Sequence, residues 1–222
     1  MVKKLRAFWD FFIKFSKTSY QLLHGVSKIS TLPEPRVTVF GGAKVDQQNT
    51  YAHLAHELTH KLIQENISVL TGGGPGIMRA TSCTFSEPSQ QKMKAKTLGI
   101  SVQGLDREGE GPGCNYDRIV MEYFFTRKWL LINYSTAFAV FPGGFGTLDE
   151  MAEVLTLMQT KKIKGVPVVL INKEYWHPFL VWVNECGVAK GLISEADAQL
   201  IHVTDDIDEA VCLLKEQCTF QQ

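Results

Sequence analysis

Three short apolar runs, each ending in a cluster of glycines, constrain the fold of this chain more than any other feature. Arg36 to Phe40 (RVTVF) leads into Gly41-Gly42, and Ile67 to Leu70 leads into Thr71-Gly-Gly-Gly-Pro-Gly76. Ala137 to Phe141 (AFAVF) leads into Pro142-Gly-Gly-Phe-Gly-Thr147. Runs this apolar, without polar alternation, fit strands buried on both faces. Leu98–Val102, Val166–Ile171 (VPVVLI) and a short last segment, Ile201–Val203, are further candidates. Between them lie segments expected to be helical: Tyr51–Asn66, Met121–Tyr134, Asp149–Thr160, Tyr175–Cys186 and Asp206–Gln217. The alternation predicts a Rossmann-like α/β fold, an open parallel sheet with helices on both faces. Ligands of such sheets bind beyond the carboxyl ends of the strands. The three glycine loops are therefore expected to line one crevice.

Residues 33–222 are expected to form this single Rossmann-like domain, with residues 1–32 as an N-terminal helical extension. In that extension Phe8, Phe11, Phe12 and Phe15 recur at helical spacing beside Trp9. This predicts an amphipathic helix, packed on its own domain or on a partner subunit, with attachment to a membrane surface as the lesser reading. Asp10 and Lys14 interrupt what would be the apolar stretch of a signal peptide. No apolar run reaches the roughly 18 residues of a membrane span, so stable membrane insertion is not expected. The polar stretch 84–96 is expected to be a surface connection. Lysine and arginine number 23, as do aspartate and glutamate. That balance disfavours a general nucleic-acid binder. Five cysteines without a CxxC pair disfavour a secreted disulfide framework or a cysteine-rich zinc site, and predict reduced thiols in a cytoplasmic protein.

The loop at 142–147 has the chemistry of a phosphate site. Gly143, Gly144 and Gly146 let the backbone approach a ligand, Thr147 adds a hydroxyl, and a helix starts there, offering unpaired N–H groups to an anion. It is not a Walker A loop, since no Gly-Lys-Ser/Thr follows, and no GxGxxG follows the first strand. Asp149, Glu150 and Glu153 come next. Acids at a helix start can simply answer the dipole. Beside a phosphate loop they also suit sugar hydroxyls or a developing positive charge.

Pro142-Gly-Gly-Phe-Gly-Thr-Leu-Asp-Glu150 matches PGGxGTxxE, with Thr71-Gly-Gly-Gly-Pro-Gly-Ile-Met78 upstream and the basic pair Arg127-Lys128 on the helix between. On these motifs the sequence resembles the LOG ("Lonely Guy") family of nucleoside 5′-monophosphate phosphoribohydrolases, whose members are often labelled lysine decarboxylases. The resemblance covers roughly Arg36 to Leu214. It implies a Rossmann-like homodimer that cleaves the N-glycosidic bond of AMP or of a cytokinin riboside 5′-monophosphate, with no metal or organic cofactor. It implies a catalytic pair, Arg127 and Glu150. It implies substrate contacts from Gly73, Gly74, Met78, Lys128, Gly143, Gly144, Phe145, Gly146, Thr147 and Thr156. Glu108 is the best match to a further substrate-facing acid, although Glu110 competes with it. The alternative for Arg127 is a surface arginine paired with Glu122 or another acid. A non-catalytic nucleotide-binding or sensing module on the same fold is the alternative function. A pyridoxal-phosphate decarboxylase needs a Schiff-base lysine, and no lysine here sits in a context that nominates it.

His56-Glu-Leu-Thr-His60 matches the zinc-protease motif HExxH. The helical wheel places Tyr51, Ala55, Leu58 and Leu62 on one face and His53, His56, Glu57 and His60 on the other. The apolar face must cover the sheet, so the histidines are expected to face solvent.

Overall fold

The computed structural model describes residues 2–83, 93–104 and 117–219. Helix α1 spans Val2–Ile29, followed by β1 (Arg36–Phe40), α2 (Thr50–Gln64), β2 (Ser68–Thr71), α3 (Ile77–Cys83) and β3 (Thr97–Val102). Then come β4 (Asp117–Met121), α4 (Phe124–Asn133), β5 (Ala137–Val140), α5 (Phe145–Gln159), β6 (Val168–Ile171) and α6 (Lys173–Trp182). A π-helical turn (Val183–Val188), α7 (Glu195–Ala198), β7 (Ile201–Thr204) and α8 (Ile207–Thr219) complete the order.

The seven strands form one sheet in the order β4-β3-β2-β1-β5-β6-β7. Every neighbouring pair is parallel, with Val37 opposite both Val69 and Ala137. This is the expected Rossmann-like architecture. Strand side chains alternate between faces, which gives two cores. Phe40, Phe138 and Val140 face a layer that includes Leu130, Leu131, Met151, Val154 and Trp176. Val37, Val39, Ala137 and Ala139 face α2, α3 and α8 through Ala55, Leu58, Leu62, Ile77, Ala210 and Leu214. The order reverses at β1, whose neighbours are β2 on one side and β5 on the other. That reversal opens a crevice at the carboxyl ends of β1 and β5.

Two parts of the sequence reading need correction. The helix expected from Met121 begins only at Phe124, because Met121 ends the edge strand β4. In β4, DRIVM, only Ile119 and Met121 are buried, so the half-polar run lacks the apolar continuity of the central strands. The thiols are not all reduced: Cys83 is disulfide-bonded, whereas Cys186 and Cys212 are free.

On α2, the residues buried against the sheet are Ala52, Ala55, Leu58, Thr59, Leu62 and Ile63, while His53 and Glu57 are exposed. Of the motif's His56, Glu57 and His60, only Glu57 is exposed; both histidines are half-buried at the flank of the packed face rather than facing solvent as expected. Glu57 pairs with Lys61 at 2.9 Å, and among the described residues no three His, Cys, Asp or Glu side chains are grouped to hold a metal.

Candidate active site

The three glycine loops meet in one cavity of about 630 Å³. It is walled by Gly41 and Gly42 after β1, by Gly72, Gly74 and Met78 around the loop after β2, and by Pro142 to Thr147 after β5. Each loop is fixed by backbone contacts. Gly42 donates its N–H to the Pro142 carbonyl at 3.0 Å and accepts from the Ile77 N–H at 3.1 Å, so the first loop ties the other two together. Gly76 has φ +67°, and a Cβ there would stand 2.1 Å from the Gly42 oxygen, so only glycine fits.

The loop after β5 ends as the N-terminus of α5. Gly144 caps this helix with an extended backbone and provides no side-chain cap bond. The first N–H groups of a helix have no acceptor within it. Here Phe145 and Gly146 bring theirs to the cavity wall. A partial positive charge, flexible glycines and the Thr147 hydroxyl thus lie in one place, which suits an anion.

Arg127 lies one turn into α4 and is only 9% exposed, and Glu150 lies on α5 and is 7% exposed. They form an ion pair with Nη1 to Oε1 of 2.6 Å. Arg127 also donates its Nε–H to the Ile100 carbonyl of β3 at 2.9 Å. Its Nη2 lies 4.0 Å from the Met78 sulfur. Three elements therefore fix the guanidinium. The surface pairing of Arg127 with Glu122 does not occur. Glu122 is bound by Lys17 instead, at 2.9 Å. Burial pushes the Glu150 carboxyl above the ordinary value of 4.5, against the opposing pull of Arg127. Lys128, next on α4, bonds Asp149 at 2.6 Å and Glu153 at 3.0 Å. Burial lowers its pKa, but the two carboxylates outweigh this and the net shift is upward.

Of the residues singled out from sequence, Arg127, Glu150, Gly74, Met78, Lys128 and Gly143 to Thr147 all line this cavity. Phe145 is 91% exposed at its rim. Gly73 sits behind the wall at φ +63°, its N–H donating to Thr71 Oγ1 at 3.2 Å. Thr156 is exposed farther along α5 and is not part of the wall. Glu108 and Glu110 lie outside the described residues. The cavity also takes in Ser101, Phe124, Tyr51 and Tyr175, which the sequence reading did not nominate. Ser101 could have been found as a hydroxyl near the carboxyl end of an apolar strand. Tyr175 follows β6 by four residues and donates its hydroxyl to the Gly143 carbonyl.

A family model described as "Possible lysine decarboxylase" matches residues 84–214. Cytokinin riboside 5′-monophosphate phosphoribohydrolase LOG3 of Arabidopsis thaliana is 30% identical over 183 residues, covering 82% of each chain. The phosphoribohydrolase LOG of Oryza sativa subsp. japonica is 29% identical over 184 residues, covering 82% of this chain and 73% of its own. Among solved structures, the molybdenum cofactor carrier protein of Chlamydomonas reinhardtii superposes with a TM-score of 0.56 at 20% identity, over 85% of this chain and 99% of that one. The molybdenum cofactor binding protein of Rippkaea orientalis gives 0.58 at 20% identity, over 83% and 97%. At that identity these two establish the shared fold alone. The extent of the family match, and the relatives that align across most of both chains, establish that this chain belongs to the LOG family.

Proposed function

We propose that the protein hydrolyses the N-glycosidic bond of a nucleoside 5′-monophosphate, giving the free base and ribose 5-phosphate. The buried Arg127–Glu150 pair beside an open helix N-terminus carries this reading. A binding module needs the anion site, but it has no evident need for a desolvated carboxylate at its back.

The 5′-phosphate sits on the α5 amides and the glycines before them. The ribose then lies toward Glu150. Breaking the C1′–N bond sends its electron pair to the base and leaves positive charge on the ribose. Glu150 stabilises that charge and orients water. The water oxygen bonds to C1′, its proton leaves, and the base nitrogen takes up a proton. Arg127 stays charged throughout, holds Glu150 in place and faces the negative charge that develops on the base. Met78, Val102 and Phe124 offer apolar surface to a flat base, as adenine or an N6-substituted adenine requires. Lys128 does not suit a Schiff base, which needs a depressed pKa, because two carboxylates hold it charged. A homodimer is also part of this reading. Phe125 and Trp129 on α4 are exposed beside a groove that reaches Leu22, Leu157 and Ile163, a face suited to a second copy.

The test is incubation of metal-free protein with a panel of nucleoside 5′-monophosphates, with chromatography of released base and Glu150→Gln run alongside. Release by the wild type alone supports the proposal and ranks the bases. Saturable binding with no release would instead identify a sensing module.

A further inference from the structure

The second half of α1 belongs to the folded body, and the stretch from Phe8 to Ser16 stands out from it. Gly25 and Ile29 are buried, and Leu22 and Val26 pack on the core. A Cβ at Gly25 would stand 2.6 Å from Leu130 Cδ1, so glycine lets the helix approach α4 closely. Lys17 bonds Glu122 at 2.9 Å, and the Gln21 side chain accepts from the Glu122 N–H at 3.0 Å. Before that point every residue from Phe8 to Ser16 is exposed. From Phe8 to Ser16 this makes roughly 14 Å of helix exposed on every side.

This arm has two sides. At about 100° per residue, Phe8, Phe11, Phe12 and Phe15 fall on one side, with Trp9 on its flank and Lys4 one turn before Phe8, while Lys3, Arg6, Asp10, Lys14 and Lys17 fall on the other with Ile13 among them. The phenylalanines are 49–65% exposed. With Lys17 already paired to Glu122, Lys3, Lys4, Arg6 and Lys14 stand against the single acid Asp10, in a chain whose total formal charge is zero. No acid occupies the first turn of the helix. Cations there oppose the helix dipole, so this end of the arm lacks an anion that would stabilise it.

We propose that the first half of α1 binds the surface of an anionic phospholipid bilayer. The aromatic side enters the interface and the cations meet lipid phosphates. An aromatic face backed by lysine and arginine is the pattern of helices that lie in the plane of a membrane interface. Lipid also fits better than a second copy of the helix. The aromatic sector from Phe11 to Trp9 covers roughly 160° of the circumference, wider than a two-helix seam. Among the described residues no helix is long and apolar enough to cross a membrane, so the contact is peripheral.

The experiment is co-sedimentation of the full chain with vesicles of phosphatidylcholine alone and of phosphatidylcholine mixed with phosphatidylserine. The expected result is binding to the mixed vesicles that weakens in high salt. Phe8→Ser/Phe12→Ser should weaken it at least about tenfold, and each of Lys3→Glu and Arg6→Glu by about fivefold or more. Base release in solution should be unchanged in all three. No binding to either vesicle, or equal binding to both, overturns the proposal. If the double variant instead changes only the sedimentation coefficient of the lipid-free protein, the aromatic face belongs to a second copy.

Discussion

A Cβ added to Gly72 would lie 1.8 Å from Arg127 Nη2 and 2.7 Å from the Met78 sulfur. The glycine after β2 therefore makes room for the guanidinium that pairs with Glu150. Gly72 does not need a positive φ, so Gly72→Ala strains no backbone and acts by displacing Arg127. Turnover is expected to fall on the order of a hundredfold, the cost of misplacing a catalytic group by about 1 Å. The melting temperature should move by only a few degrees. Near wild-type base release from this variant would mean that the position of Arg127 is unimportant.

Arg127 and Glu150 act on one another at 2.6 Å, so their contributions should not add. Glu150→Gln and Arg127→Met are each expected to lower kcat by about 10² to 10⁴. The double variant should be little worse than either single one. Losses that multiply would assign the two residues to independent steps. Stability should be least affected in the double variant, because it leaves no unpaired buried charge.

The pH profile follows from the direction of the Glu150 shift. Burial raises its carboxyl above 4.5, and the working form is the carboxylate. Activity is therefore lost as pH falls through this raised value, and the acid limb of kcat/KM should lie above the ordinary carboxylate range. The effect on stability has the opposite sign. A raised folded-state pKa contributes stability that is fully present below the unfolded value and is lost as pH rises through the folded one. Glu150→Gln should remove both dependences. An acid limb at or below 4.5 in the wild type would show that Glu150 is not desolvated in solution.

The central strands and the phosphate loop were legible because burial on both faces demands apolar runs, and a close backbone approach demands glycine. Arg36–Phe40 matches β1 to the residue, and the loop after β5 stands where its composition placed it. What stayed hidden depends on distance through space. Nothing local tells that Arg127 reaches Glu150, 23 residues on, rather than Glu122, five residues back. Edge strand β4 was missed because its pattern is half polar. Tyr175 was missed because its partner, the Gly143 carbonyl, is 32 residues away.

Tyr175 gives a milder prediction. Its N–H is capped by Asn172 Oδ1 at 2.8 Å, its ring packs edge-on against buried Trp176, and its hydroxyl holds the Gly143 carbonyl. Tyr175→Phe removes that one bond, worth about 1 kcal/mol. In the proposed mechanism that loop receives the phosphate, so its loosening should raise KM about fivefold with kcat little changed. A fall in kcat with KM unchanged would instead place the hydroxyl in the chemical step.

The HExxH segment is open to direct test. A catalytic zinc site needs three protein ligands and an open position facing the substrate. Glu57 is exposed while His56 and His60 are half-buried, and Lys61 bridges Glu57 to Asp208 with bonds of 2.9 and 2.7 Å. Glu57 therefore belongs to a surface ion-pair chain linking α2 to α8. Exhaustive dialysis against a chelator should leave base release unchanged, and His56→Ala/His60→Ala should behave like wild type. Lys61→Ala should cost at most about 1 kcal/mol of stability, as exposed ion pairs do. If chelation abolished turnover and zinc restored it in the wild type but not in the histidine variant, α2 would have to be reassigned to the catalytic machinery.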